Sequence, residues 1–323
     1  MSKKRKCAIA ALAVFTVILT ALWVFLAVWS FGAKYPAFDK NVRAEAQIEG
    51  LGEGFVPQGL CELPAGGYAV SGYMKDKSAS RVYFLGGEAA KYVTVEEDGA
   101  ALKTHFGGVS ATESYLYLTS GKKIVRVSLA AALSSENGGA VSVSDAFEVD
   151  FGIAFCQIYD GLLFVGEFYR PGNYETDASH HVTVDGETNP ALVYCYPLDE
   201  TKAGGVGDSA PIAALSVRGL VQGIALTEEH IYLSCSWGLA DSEICVYQNP
   251  LGGTEDAMLG DVPMYFLGEK KLISSEKLPS MTEGIYAKEG RLYILFESAC
   301  QKYKYFVRRR IDHVVSVPLE MFD

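Results

Sequence analysis

The stretch that decides the fold is residues 221–237, VQGIALTEEHIYLSCSW. It contains a Gln-Gly pair, a short apolar strand, an acidic turn and a second strand rich in Ile, Tyr, Leu and Cys. Both strands are apolar at nearly every position, which indicates that both of their faces are buried. We therefore expect a hairpin that is covered on two sides, and similar hairpins recur along most of the chain after residue 50.

Five such units can be followed along the sequence, and each is expected to form one four-stranded sheet. The fifth unit shows only three strands, whereas residues 41–49 form a lone alternating segment before the first unit. That segment can supply the missing strand and remove an open edge. The pattern predicts an all-β, five-bladed β-propeller closed by its N-terminal strand, with a six-bladed ring as the alternative if one blade is missed. The fourth strands of units two and four are expected at 141–149 and 262–267.

Composition excludes some partners. The chain has 323 residues, 49% of them hydrophobic, and a net charge of −11. Four of its cations lie at residues 3–6, so the remainder is more acidic still, and a nucleic-acid partner is not expected because phosphate contacts need a cationic face. The run Arg308-Arg309-Arg310 is the local exception, which we interpret as a solvated loop.

The N-terminus predicts a membrane anchor. Residues 7–33 contain no charged side chain, and a helix of about 24 residues is about 36 Å long, enough to cross the hydrocarbon core. Residues 1–6 form a basic tail expected in the cytoplasm, 34–40 a linker and 41–323 an extracytoplasmic propeller on a single-pass protein of the cell membrane. A signal peptide cleaved near residues 31–33 is the alternative, although the apolar run is long for one.

Strand direction predicts which residues face the central channel. Successive strands of a blade alternate in direction, so the start of the first strand and the end of the second emerge on the same face. The residues at or near the first-strand starts are Gln58, His105, Gln222 and Glu283, and the third unit departs from this pattern. The glycine beside each lets neighbouring backbones approach closely.

The rim of the same face is expected to carry acidic and aromatic residues. Residues at or near the ends of the second strands are Tyr73, Glu167, Trp237 and Glu297. Long connections at 169–190, 238–242 and 298–312 follow them, and long loops on one end of a rigid scaffold are where binding usually resides. We interpret the adjacent His180 and His181 as a solvated loop rather than a metal site.

Six cysteines follow the apolar run, and an even number in an extracytoplasmic domain raises the possibility of disulfides. If the hairpin of unit four is centred between Trp237 and Ser242, Cys235 and Cys245 lie opposite one another and can be bridged. The sequence lacks the G-x-S-x-G, H-E-x-x-H, P-loop and G-x-G-x-x-G motifs.

Two patterns carry a resemblance. The segments VQGIA with SCSWGLADS, and EGI with FESACQKY, resemble secreted or membrane-anchored bacterial β-propeller proteins over most of residues 50–320. More distantly, Glu283-Gly284-Ile285 resembles the first-strand motif of the SMP-30/gluconolactonase-like propellers. That resemblance implies that Glu283 ligates a divalent metal, for which its oxygen-rich surroundings would suit Ca²⁺ or Mg²⁺.

Two functions remain open, and the sequence does not decide whether the protein is an enzyme. The favoured hypothesis is a membrane-tethered module that binds a small molecule, an envelope protein or a glycan at Gln58, His105, Gln222 and Glu283, and at the rim residues. The alternative is a divalent-metal-assisted hydrolase or lactonase with its site at the central channel.

Overall fold

The computed structural model describes residues 3–31, 35–87, 89–207 and 209–322. Two compact units are present, Met1–Pro36 and Ala37–Asp323. Each is described by itself below.

The first unit is dominated by one apolar helix, Lys3–Phe31. Its Lys3–Leu26 portion has a mean hydropathy of 2.6, so by length and composition the helix is able to cross a membrane, a test that a signal sequence also passes. Residues 32 and 33 of the predicted span, and Lys34 of the predicted linker, lie outside the described residues. A short helix, Pro36–Asn41, follows.

The second unit is a five-bladed β-propeller, which confirms the predicted fold class. Each blade is built on an antiparallel four-stranded sheet, and the first strands of the blades line the centre of the ring. In blades 1, 2 and 4, the four strands run in chain order from the inside outward. Their ranges are Phe55–Glu62, Tyr68–Met74, Arg81–Leu85 and Lys91–Glu97 for blade 1; Val109–Ala111, Tyr115–Ser120, Lys123–Ser128 and Asp145–Glu148 for blade 2; and Val221–Leu226, His230–Cys235, Ser242–Gln248 and Leu272–Leu278 for blade 4.

Blades 3 and 5 carry the longest connections between their second and third strands. Blade 3 contains Phe155–Tyr159, Leu162–Gly166, Ala191–Pro197 and Ala213–Val217, and a small hairpin, Val182–Val184 with Glu187–Asn189, lies within its long connection. Blade 5 contains Thr282–Lys288, Arg291–Phe296 and His313–Pro318. Its outer strand is Arg43–Gln47 from the other end of the chain, antiparallel to His313–Pro318, so the ring closes through paired strands rather than open edges.

Two outer strands lie on a different blade from the one expected. Gly139–Ser142 runs parallel to Lys91–Glu97 on blade 1, so the expected fourth strand at 141–149 of blade 2 is shortened to Asp145–Glu148. Val262–Phe266 runs parallel to Ala213–Val217 on blade 3, where Ala257–Leu259 pairs with it. The interpretation of 262–267 as the fourth strand of blade 4 was therefore wrong. The actual strand, LISSEKL, alternates between half-buried and exposed residues, as an outer strand with one wet face should.

Glycines allow the inner strands to meet near the axis. A Cβ added at Gly59 would lie 2.7 Å from the backbone nitrogen of Val109 in blade 2, and one at Gly284 would lie 2.6 Å from that of Leu60 in blade 1. Side chains at these positions would push the blades apart. The glycine that follows each polar residue thus has a packing role of its own.

Apolar residues fill the spaces between neighbouring blades. One buried cluster joins Phe164 and Val193 of blade 3 to Leu233 and Cys245 of blade 4. In this cluster Cys245 pairs with Leu233 across the strands, and Cys235 pairs with Glu243, so the two cysteines are diagonal neighbours with their sulfurs 4.0 Å apart. The assumption that they lie opposite one another was wrong, and Cys235 and Cys245 are free thiols, as are the other four cysteines of the propeller.

Candidate functional site

A cavity of about 1010 Å³ lies at one end of the ring, and its wall includes residues of all five blades. All eight residues singled out from the sequence line it: Gln58, Tyr73, His105, Glu167, Gln222, Trp237, Glu283 and Glu297. The alternation of strand direction explains this convergence, because it brings first-strand starts and second-strand ends to the same face.

Bulges aim three of these side chains. In blade 1 the pairing with the second strand shifts between Pro57 and Gly59, which leaves Gln58 as the extra residue. The same shift occurs around Gln222 in blade 4, and at Glu283-Gly284 in blade 5. A bulge re-aims a side chain and often lies beside a functional site. The polar-Gly pairs of the sequence therefore mark three bulges rather than a fivefold ring.

Two buried carboxyl groups of blade 5 meet in the cavity. Glu283 is 3% exposed and Glu297 is 9% exposed, and their side chains are hydrogen-bonded to each other. Burial, followed by the neighbouring carboxylate, raises the pKa of Glu283 well above its ordinary value. Burial raises the pKa of Glu297 to about 7, against the opposing effects of Lys302, Gln58 and Glu283. Burial therefore favours the protonated form of Glu283, which donates to Glu297.

Side chains of blade 1 and of the loop that follows Glu297 complete this half of the cavity. Gln58 Nε2 donates to Glu297 Oε2 at 3.0 Å. Lys302 Nζ donates to the Tyr73 hydroxyl at 2.5 Å and lies 5.0 Å from the centre of that ring. The ring of His105 packs edge-on against Tyr73 at 4.5 Å, and burial, with a smaller effect of Lys302, lowers the pKa of His105. The carboxylate of Glu297 thus has a hydrogen-bond donor and a cation nearby, while His105 is favoured as a neutral imidazole.

The second carboxylate centre belongs to blade 3. Glu167 is 3% exposed, its two oxygens lie 3.0 Å from His180 Nδ1, and one of them accepts the Leu192 backbone N–H at 3.0 Å. The hydrogen bond with Glu167 raises the pKa of His180. The interpretation of His180 as part of a solvated loop was wrong, because the ring is buried and held by an ion pair. His181 is directed elsewhere, with Nε2 3.0 Å from Thr176 Oγ1.

An aromatic wall lies beside blade 4. The ring of Trp237 packs against Phe168 at 5.8 Å and Tyr174 at 5.6 Å. The guanidinium of Arg170 lies 4.4 Å from the centre of the indole. Because Phe168, Tyr174 and Trp237 all line the cavity, it offers flat apolar surface as well as charge.

Sequence reasoning missed several lining residues. Lys302, Tyr303 and Asp150 lie in connections that have no repeat counterpart, and nothing in their spacing distinguishes them from solvated residues. The signal available for Lys302 was its position in the long loop after Glu297. His180 was noticed, but its partner Glu167 is 13 residues away, and only the folded loop brings the two together.

The residues around Glu283 bear on the predicted metal site. Among the residues described, no group of three or more His, Cys, Asp or Glu side chains is arranged to hold a metal. Glu283 instead shares its surroundings with Glu297 and the ammonium group of Lys302. Metal ligation by Glu283, and Ca²⁺ or Mg²⁺ as the ion, therefore remain predictions.

Comparison with protein-family models finds no match, and comparison with curated protein sequences finds none either. Several solved structures are similar at low identity. The Myxococcus xanthus glutaminyl cyclase has 11% identity and a TM-score of 0.39, with 79% of this chain and 91% of that chain covered. An oxidoreductase assigned as a glucose dehydrogenase, from Thermus thermophilus, has 13% identity and a TM-score of 0.39, covering 85% and 99%. The WD40 propeller domain of Doa1 has 9% identity and a TM-score of 0.36, covering 79% and 69%. These values are too low to extend the activity of any of these proteins to this chain.

Proposed function

We propose that the protein is a binding module whose axial cavity takes a small, neutral or cationic, polar ligand with one apolar face. The observation that carries this proposal is the convergence of ionisable and aromatic side chains from all five blades in one cavity of about 1010 Å³. A volume of this size accommodates a small molecule.

Charge favours a neutral or cationic ligand over an anion. Six carboxyl groups line the cavity (Asp150, Glu167, Glu175, Asp177, Glu283 and Glu297), against two lysines, Lys122 and Lys302. Even with Glu283 protonated and His180 charged, the wall keeps a negative balance. An anionic ligand would therefore enter against a repulsive potential.

The wall also supports a ligand with both polar and apolar surface. Lys302 keeps N–H donors beyond the one that it gives to Tyr73, whereas Glu297 and Glu167 can accept hydrogen bonds. Trp237 and Tyr174 provide aromatic surface against which a ring can pack. A sugar or an alkylammonium compound combines these features, which is consistent with a glycan or a small metabolite as the physiological ligand.

We further propose that this module is held outside the cytoplasm by its N-terminal helix. Support comes from the length and apolar composition of Lys3–Leu26. The basic residues 3–6 precede the apolar run and favour a cytoplasmic N-terminus. In full-length protein, added protease should digest the propeller from outside intact cells, while recovery of a soluble form beginning near residue 31 or 34 would favour a cleaved signal peptide.

Calorimetric titration of the full chain tests the binding proposal, with glucose as a neutral probe, choline as a cationic one and glucose 6-phosphate as an anionic one. We expect binding of a neutral or cationic probe that is lost in Trp237→Ala and weakened in Glu297→Gln, which removes a carboxylate from the cavity wall. Glu255→Gln is the control, because Glu255 is exposed and lies outside the cavity wall. Absence of binding by glucose and choline, or binding that all three variants retain unchanged, would contradict the proposal.

A divalent-metal-assisted hydrolase is the second candidate, and the carboxyl pair is the observation that favours it. A cation could replace the proton that Glu283 and Glu297 share, as two adjacent oxygen ligands suit Ca²⁺ or Mg²⁺. If so, Ca²⁺ at about 100 times its dissociation constant should add about 2.7 kcal/mol to the free energy of unfolding. Glu283→Gln should abolish that increment and the hydrolysis of a simple lactone. If neither ion changes the melting temperature, the hydrolase candidate is ruled out and only the binding proposal remains.

A further inference from the structure

The loop that follows the second strand of blade 5 is unlike the rest of the propeller in charge. Residues 302–310, KYKYFVRRR, contain five cations, and no acidic residue occurs between 298 and 311. The chain as a whole has a net charge of −11. We call residues 302–310 the basic-aromatic loop.

Two aromatic side chains project from this loop into solvent. Tyr305 is 73% exposed and Phe306 is 62% exposed, more than any other large hydrophobic residue in the described part of the propeller. Lys304 Nζ lies 5.2 Å from the centre of the Tyr305 ring, and the Arg310 guanidinium lies 5.9 Å from it. Cations thus surround an exposed apolar tip.

Hydrogen bonds hold the loop in this form. The Phe306 N–H donates to the Tyr303 carbonyl at 2.8 Å, and Arg310 Nε donates to the Lys304 carbonyl at 2.6 Å. At the base of the loop, the Ile311 N–H donates to the buried Ser298 hydroxyl at 3.1 Å. The exposed aromatics are therefore presented by hydrogen-bonded turns.

The loop lies where the chain enters the propeller. Arg309 forms an ion pair with Asp39, and its guanidinium lies 5.3 Å from the centre of the Phe38 ring. Phe38 is buried and packs edge-on against Phe296 at 6.0 Å. Seven residue steps separate Phe38 from Phe31, where the apolar helix ends, and that length of chain reaches at most about 25 Å.

Resting on the membrane anchor proposed above, we infer that the basic-aromatic loop docks on the anionic lipid surface of the membrane. Lys and Arg are attracted to anionic headgroups, and Tyr and Phe insert at the boundary between headgroups and acyl chains. Lipid is favoured over an acidic protein because the chain length after the apolar helix keeps the loop near the bilayer that this helix is able to cross. Since Lys302 and Tyr303 also line the axial cavity, docking would bring one side of its mouth to the lipid surface.

The test places an environment-sensitive nitrobenzoxadiazole label on the full chain. Tyr305→Cys is labelled in a Cys7→Ser background, where the six propeller cysteines are buried and react slowly. Met258→Cys is the matched control, because Met258 is a 50% exposed apolar residue on the outermost strand of blade 3. The labelled chains are combined with lipid by detergent removal, using phosphatidylcholine alone or its mixture with phosphatidylserine.

We expect the label at residue 305, but not at residue 258, to shift to shorter emission wavelength and to be quenched by nitroxide lipids in the anionic membranes. Both effects should diminish in phosphatidylcholine alone, at high salt, and in the Lys304→Gln/Arg308→Gln variant. Equal emission at the two positions, or an emission shift at 305 that is the same with and without phosphatidylserine, would overturn the inference. Protection of the label only by added acidic protein would assign the loop to a protein partner instead.

Discussion

Blades 3 and 5 place a glutamate at the same position and surround it differently. Glu167 directly follows the second strand of blade 3, and Glu297 directly follows that of blade 5. Each begins a long connection to the third strand, and each is buried at the wall of the axial cavity. The repeat therefore determines where both carboxyl groups lie.

The neighbours of the two groups differ in kind. The imidazole of His180 and the backbone N–H of Leu192 both hydrogen-bond to the carboxylate of Glu167 and together compensate its buried negative charge. Gln58 and the carboxyl group of Glu283 hydrogen-bond to Glu297, and the ammonium group of Lys302 lies nearby. Blade 3 therefore joins a carboxylate to an imidazole whose pKa is raised, whereas blade 5 joins two carboxyl groups whose pKa values are both raised. The two glutamates occupy the same position in the repeat, but Glu167 is paired with a histidine from a loop and Glu297 with a carboxyl group from a bulge.

The two blades also obtain their outer strands differently. Removing the outer strand of blade 5 is expected to have the largest effect on the free energy of unfolding. The outer strand of blade 5 comes from residues 43–47, whereas the four core strands of blade 3 come from one continuous stretch. Deleting residues 41–49 should expose an edge and cost more than the roughly 5 to 15 kcal/mol available to a typical domain, so that cooperative urea unfolding disappears. Replacing Ala257–Leu259 of blade 3 with a Gly-Ser linker is the control and should leave a cooperative transition. A deletion variant that unfolds like the wild type would show that the closing strand is dispensable.

Breaking the ion pair of blade 3 should have the next largest effect. Glu167→Ala leaves the buried His180 ring and the Leu192 N–H without their acceptor, and loss of one member of a buried pair costs about 3 to 5 kcal/mol. Urea unfolding near pH 6 measures this change. The control is Glu175→Ala in the same connection, an exposed position where about 0.5 kcal/mol or less is expected. Equal effects of the two substitutions would mean that the Glu167 pair contributes nothing.

The raised pKa of Glu297 in blade 5 predicts a pH dependence of stability. A carboxyl group whose pKa is raised on folding stabilises the protein below its unfolded pKa, and that contribution is lost as pH rises through the folded pKa. For Glu297 the rise from 4.5 to about 7 corresponds to about 3 kcal/mol, lost between those two pH values. Glu297→Gln should remove most of this slope from the free energy of unfolding. A variant whose pH profile parallels that of the wild type over this range would rule out a raised pKa for Glu297.

The smallest effect is expected from the histidine of blade 3. Because the pKa of His180 is raised, its contribution is present below its ordinary pKa and is lost as pH rises through the folded value, so the loss begins above about 6.5. His180→Gln keeps an N–H for Glu167 but cannot titrate, and should remove that dependence. Thermal unfolding from pH 6 to 8 measures it. If the stabilities of the wild type and His180→Gln differ in their pH dependence only below about pH 6.5, the titrating group is the carboxyl pair and not His180.

Local patterns were sufficient to predict most of the fold. Strands buried on both faces produce apolar runs, and their recurrence defined five blades before any contact was known. The polar-Gly pairs at Gln58, Gln222 and Glu283 identified the inner strands, because only glycine fits where the backbones meet. Outer strands were predicted less well. Residues 262–266 and 272–278 are both short and partly apolar, and the blade that each joins depends on pairing with distant partners.

The sequence alone determined the repeat, the apolar N-terminal helix and the face on which polar residues gather, because these depend on periodicity and on the alternation of strand direction. Only the tertiary structure decided what each of those residues meets. Gln58 and Glu297 are 239 residues apart, and the pairing of Glu283 with Glu297 requires the bulge that turns Glu283 toward the axis. The raised pKa values of the two carboxyl groups and of His180 arise from burial and from specific neighbours, which no local sequence pattern predicts.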